Sequence, residues 1–106
     1  MATKNNSIEN TIVEVELVDT LKDILEATGE RKFNDLGYFT SSSVDVSYIE
    51  STGEYATKVI LKDCMSFNLV ELKIRLKANK VSLGDILHVG SLEGSMRLMF
   101  VLRKEN

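Results

Sequence analysis

Apolar and polar side chains alternate with period two at several places along this chain, and that spacing is the mark of strands with one buried face. In residues 70–77, Val70, Leu72, Ile74 and Leu76 point one way while Glu71, Lys73, Arg75 and Lys77 point the other. The alternation predicts a strand. A helix is the rival, because Leu, Glu, Lys and Arg are all good helix formers. Residues 12–18 repeat the pattern, with Val13, Val15 and Leu17 opposite Glu14 and Glu16. Residues 44–50 and 55–62 read as a hairpin closed near Ser51-Thr52-Gly53-Glu54, with Tyr55, Thr57, Val59 and Leu61 on one face. Gly84-Asp85 reads as a turn feeding a strand over 86–89. Residues 91–95 then close a hairpin into a last strand, 96–104, with Leu98, Phe100 and Leu102 inward.

One segment changes period. Leu21, Ile24, Leu25 and Thr28 fall at i, i+3, i+4 and i+7, one face of a short helix. Thr20 and Asp23 form a capping box, and Gly29 supplies the stop. So short a helix is unstable alone and must dock, most simply on a sheet. Residues 1–7 read as a mobile tail, and residues 30–43 as an ordered excursion anchored by Phe33, Leu36, Tyr38 and Phe39.

Six strands with one helix, and no regular alternation between the two, exclude a parallel βαβ architecture. The class is α+β: mainly an antiparallel β-sheet or a small, partly closed β-barrel with one short N-terminal helix. The 106 residues suit a single β-rich domain over 8–106. No apolar run reaches the ~18 residues of a membrane helix, and the polar N-terminus has no secretory signal. One cysteine, Cys64, forms no internal disulfide, so the expected compartment is the reducing cytoplasm.

Charge is distributed unevenly. Residues 1–54 hold 4 basic and 11 acidic side chains, and residues 55–106 hold 9 basic and 5 acidic, so a net of −7 and a net of +4 combine to the −3 of the chain. If 70–77 is a strand, Lys73, Arg75 and Lys77 project together, and Arg97 and Arg103 from a neighbouring strand would extend them into a basic stripe. Such a face can follow a phosphate backbone, with Tyr48 and Tyr55 as stacking platforms. The bland reading is that the two halves neutralise each other in the folded protein, and the net acidity favours it.

Catalytic chemistry has little support. His88 is the only histidine and Cys64 the only cysteine, with no family spacing around either. No metal-ligand spacing, phosphate loop or cofactor motif occurs. The expectation is a non-catalytic binding module without cofactor. The specific hypothesis is single-stranded nucleic acid on Lys73, Arg75, Lys77, Arg97, Arg103, Tyr48 and Tyr55. The alternative is a protein-interaction module, an inhibitor or assembly subunit, using a strand edge or an acidic surface of Glu14, Glu16, Asp19, Asp23 and Glu26. With no proline to block an edge, a homodimer through strand pairing is a further expectation.

Overall fold

The structure, a computed structural model, describes residues 2–29 and 36–105. In chain order it contains helix α1 (Ala2–Gly29), strands β1 (Gly37–Tyr38), β2 (Ser41–Ile49), β3 (Glu54–Lys62) and β4 (Ser66–Phe67), helix α2 (Leu69–Ala78), and strands β5 (Val81–Leu92) and β6 (Ser95–Lys104). An antiparallel four-stranded sheet runs in the order β2-β3-β6-β5, and β1 pairs with β4 as a separate two-stranded ladder. The class is α+β, and the sheet is open: β2 and β5 are its edges.

The central pair sets the inner face. Tyr55, Thr57 and Val59 of β3 lie opposite Leu102, Phe100 and Leu98 of β6, and all six are buried. Both helices pack on this side, α1 against β2 and α2 beside β5. Leu17, Leu21, Ile24 and Leu25 of α1 join Leu72 and Leu76 of α2 in one core with the sheet.

The hairpin expected over 44–62 forms, with Tyr48 opposite Tyr55 and Val44 opposite Val59. The hairpin before the last strand forms as well. Its turn is Glu93-Gly94, both at positive φ (53° and 83°), the two-residue turn whose twist matches the strands. Gly84-Asp85 is not a turn between strands: β5 runs on through two register shifts, between Leu83 and Ile86 and between Ile86 and His88. The excursion lies partly outside the described residues, at 30–35, with Phe33 among them. Within the rest, Leu36 and Phe39 are buried, and the Phe39 ring meets Phe67 at 6.2 Å. Gly37 (φ 149°) sits so close to β4 that an added Cβ would lie 2.3 Å from the Ser66 carbonyl oxygen.

Two strand expectations are overturned. Residues 12–18 belong to α1, which therefore replaces the expected short helix by one of 28 residues, and residues 70–77 belong to α2. The cause is a shared spacing. Residues four apart lie on one face in a strand and in a helix alike, whereas residues two apart are on nearly opposite sides of a helix. Val13 and Leu17 therefore still face the sheet, but Val15 points out; Leu72 and Leu76 are buried, but Val70 and Ile74 are exposed. Asn68 fixes the start of α2, its side chain accepting the Glu71 N–H at 3.1 Å.

This split is measurable. Leu76→Ala should cost about 2–5 kcal/mol, whereas Val70→Ala should stay within about 0.5 kcal/mol. Urea unfolding of both variants checks it; equal losses would return the segment to a two-faced strand.

Candidate interaction surfaces

With both helices on one side, the other face of the sheet is uncovered. It carries Lys58, Ile60 and Lys62 of β3 and Arg97, Met99 and Arg103 of β6, while Val101 on the same face is buried beside Gly84. Ile60 lies directly opposite Arg97, so Arg97 is the diagonal neighbour of both Lys58 and Lys62. Asp45 of β2 lies opposite Lys58. Beside this trio a shallow depression of about 490 Å³ is lined by Ile60, His88, Gly90, Leu92, Glu93 and Arg97, among others.

The residues read as a nucleic-acid stripe do not share one face. Lys73, Arg75 and Lys77 are on α2, on the helical side of the sheet, and Arg75 Nε pairs with Glu71 at 3.0 Å. Arg97 and Arg103 are on the outer face, six residues apart on β6, roughly 20 Å at strand rise. Arg103 is held by Glu54 at 2.9 Å. Tyr55 is buried and Tyr48 half-buried on the inner side, their ring centroids 5.2 Å apart. The described residues of the outer face include no Phe or Tyr. Lys58 and Lys62 are the cations that do adjoin Arg97. Their position on one face of the 55–62 strand was already legible in its alternation.

The acidic and basic halves do meet, in part strand against strand, with Asp45 of β2 opposite Lys58 of β3. Lys104 Nζ reaches Glu16 at 3.2 Å, and Arg103 reaches Glu54, each pair joining the two halves. Glu14 acts on the backbone instead, its carboxylate accepting the Tyr48 N–H of the edge strand β2 at 2.7 Å. That contact, with α1 packed against β2, occupies one donor of this sheet edge. The β5 edge is paired with β6 alone, and its two register shifts disrupt the regular row of edge donors and acceptors.

The outer sides of the helices are the surfaces the strand readings concealed. Ile8, Ile12 and Val15 fall at i, i+4 and i+7 on the side of α1 away from the sheet, and each is 55–59% exposed. Continuing along that side come Asp19, Asp23 and Glu26, all exposed, with Glu9 and Glu16 flanking and Lys22 as the only basic residue among the described side chains of α1. On α2, Val70 (68% exposed) and Ile74 (57%) stand one turn apart beside exposed Lys73 and Lys77. Extending the period of Leu21, Ile24 and Leu25 back to Leu17 and Val13 is the signal that separates these side chains from the core.

Burial pushes the Cys64 thiol up from its usual value, against a smaller opposing effect of a hydrogen bond with the Ser66 backbone, which leaves it a poorer nucleophile. His88 is exposed on β5. Among the described residues no group of three His, Cys, Asp or Glu is placed to hold a metal ion, and no helix is long and apolar enough to cross a membrane. Compared with known proteins, the chain matches no family model, no curated protein and no solved structure.

The inner tyrosines give a test of this layout. Burial, then the neighbouring Tyr48, then Glu14 and Glu16 raise the Tyr55 pKa above 10.0. The folded protein therefore holds that proton more tightly than the unfolded chain, so the associated stability is present below pH 10 and is lost as pH rises through the folded value. Tyr55→Phe should flatten the alkaline limb of a stability–pH curve measured by urea unfolding. An unchanged limb would show that the hydroxyl is solvated.

Proposed function

We propose that this chain is a non-catalytic protein-interaction module of the cytoplasm, and that the outer side of α1 receives a basic, amphipathic partner segment. One observation carries the reading: Ile8, Ile12 and Val15 form a continuous apolar stripe, in water, on a helix whose exposed charges are almost all carboxylates. Scattered exposed aliphatics are ordinary, but a stripe at helical spacing is the form in which one helix receives another. Burying an aliphatic side chain contributes about 1.5–3 kcal/mol, so the stripe is a substantial source of affinity. Asp19, Asp23, Glu26 and Glu9 add attraction for a cationic partner and speed its approach. Glu14 and Glu16 contribute less than the rest, being engaged with Tyr48 and Lys104.

A second reading rests on the outer sheet face, where Lys58, Lys62 and Arg97 adjoin and could bind the backbone of a single strand. The rings that would stack on bases, Tyr48 and Tyr55, are on the far side of the sheet, which makes this the weaker reading.

Fluorescence anisotropy separates the two. A labelled basic amphipathic helical peptide should bind the wild-type protein, and Ile12→Asp should weaken it by about tenfold or more, the loss of one buried aliphatic contact. The binding should also weaken with salt. Silence with the peptide, together with binding of a labelled single-stranded oligonucleotide that is lost in a Lys58→Ala/Lys62→Ala/Arg97→Ala variant, would put the sheet face in its place.

A further inference from the structure

The proposed partner of α1 has a described counterpart within this same chain. We infer that the basic amphipathic segment taken by α1 is helix α2 of a second copy, so that the protein assembles head to tail; this rests on the reading of α1 as a docking surface. The argument is complementarity. Helix α2 presents two aliphatic side chains one turn apart, Val70 and Ile74, and two lysines one turn apart, Lys73 and Lys77. Helix α1 presents aliphatics at one-turn spacing, Ile8, Ile12 and Val15, followed by carboxylates one turn apart, Asp19 and Asp23. Set parallel, the 10 residues of α2 cover about 15 Å of α1, so that Val70 and Ile74 meet Ile12 and Val15 while Lys77 meets Asp19.

The fold prevents this contact inside one molecule. The helices are fixed by their inner sides to the same sheet, α1 at the β2 edge and α2 at the β5 edge. With the four strands in the order β2-β3-β6-β5, those edges are three strand spacings apart, about 14 Å, and both outer sides point away from the sheet. Only another molecule can bring them together. Because the two surfaces differ, the contact is heterologous: each copy that donates α2 still has its α1 free, and growth continues until a ring closes or a filament forms. A pairing of α1 with α1 would oppose carboxylates to carboxylates, and one of α2 with α2 would oppose lysines to lysines.

Heterologous growth leaves a signature that a two-fold dimer does not. Wild-type protein should show mass rising with concentration beyond that of a dimer in analytical ultracentrifugation. Ile12→Asp and Ile74→Asp, both at exposed positions, should each remain monomeric with unchanged circular dichroism. Mixed in equal amounts they should form a 1:1 dimer and nothing larger, since one retains α2 and the other α1. A charge-reversed Lys73→Glu/Lys77→Glu protein should likewise be monomeric on its own, as should Asp19→Lys/Asp23→Lys, and mixing the two should restore growth, because the reversed α2 of one then fits the reversed α1 of the other. A wild-type protein that stays monomeric at every concentration would overturn the inference, as would blocked variants that fail to associate on mixing. If either result came with Ile12-dependent binding of the basic peptide, α1 would remain a docking surface for another protein. If the peptide also failed to bind, both readings would fall together.

Discussion

The inner face of the β3–β6 pair governs everything else in this molecule. Tyr55, Thr57, Val59, Leu98, Phe100 and Leu102 are buried there, and a sheet with such a face must be covered. The two helices cover it, and each does so with residues four apart: Leu17 and Leu21 on α1, Leu72 and Leu76 on α2. Once those positions face inward, the geometry of a helix fixes where the remaining side chains go. Val15 cannot be buried with Leu17, nor Ile74 with Leu76. The exposure of the apolar residues between them is thus a direct consequence of packing.

Covering one side also assigns the charges. The helical side of the sheet places carboxylates along α1 and lysines along α2, at opposite sheet edges, while the uncovered side keeps Lys58, Lys62 and Arg97. A net charge of −3 conceals this separation. Part of the division between the two halves of the sequence is neutralised within the fold, by Lys104 on Glu16 and Arg103 on Glu54. Such exposed pairs add at most about 1 kcal/mol each, so they reduce the local field more than they hold the fold together. The edge contact of Glu14 is different in kind, because it satisfies a backbone donor that β2 would otherwise present to another strand.

The parts of this fold that could be read from the sequence are those where only one period fits. In the strands of 55–62 and 96–104, Thr57 and Phe100 fall between buried apolar residues two positions away on either side, and the faces follow from the alternation. The turns are legible too, since Gly53 and Gly94 close hairpins whose flanks alternate. Alternation alone does not decide, because apolar residues at every second position always include an i, i+4 pair that a helix buries equally well. In 70–77 the buried pair Leu72 and Leu76 is common to both readings, and helix propensity together with the Asn68 cap decides in favour of α2. That single change of secondary structure dismantles the basic stripe, because Lys73, Arg75 and Lys77 leave the sheet and Arg75 turns to Glu71. The same change uncovers Val70 and Ile74. The exposed helix surfaces were hidden, then, by a local ambiguity of period, not by the absence of a signal.

Magnitudes bear on what kind of assembly these surfaces can support. Ile12, Val15, Val70 and Ile74 together offer about 6–12 kcal/mol if fully buried, an upper bound because each is already partly covered. Association costs a comparable amount in lost translational and rotational freedom, so one helix-on-helix contact of this size is weak. Attraction between Lys73 or Lys77 and Asp19 or Asp23 raises the rate of encounter and excludes the like-charged arrangements, more than it tightens the contact. A contact of this strength is reversible at ordinary concentrations. It becomes firm only where a molecule is held at both of its helices, as in a closed ring or in the interior of a filament, since a copy held at two sites leaves far more slowly than one held at either alone.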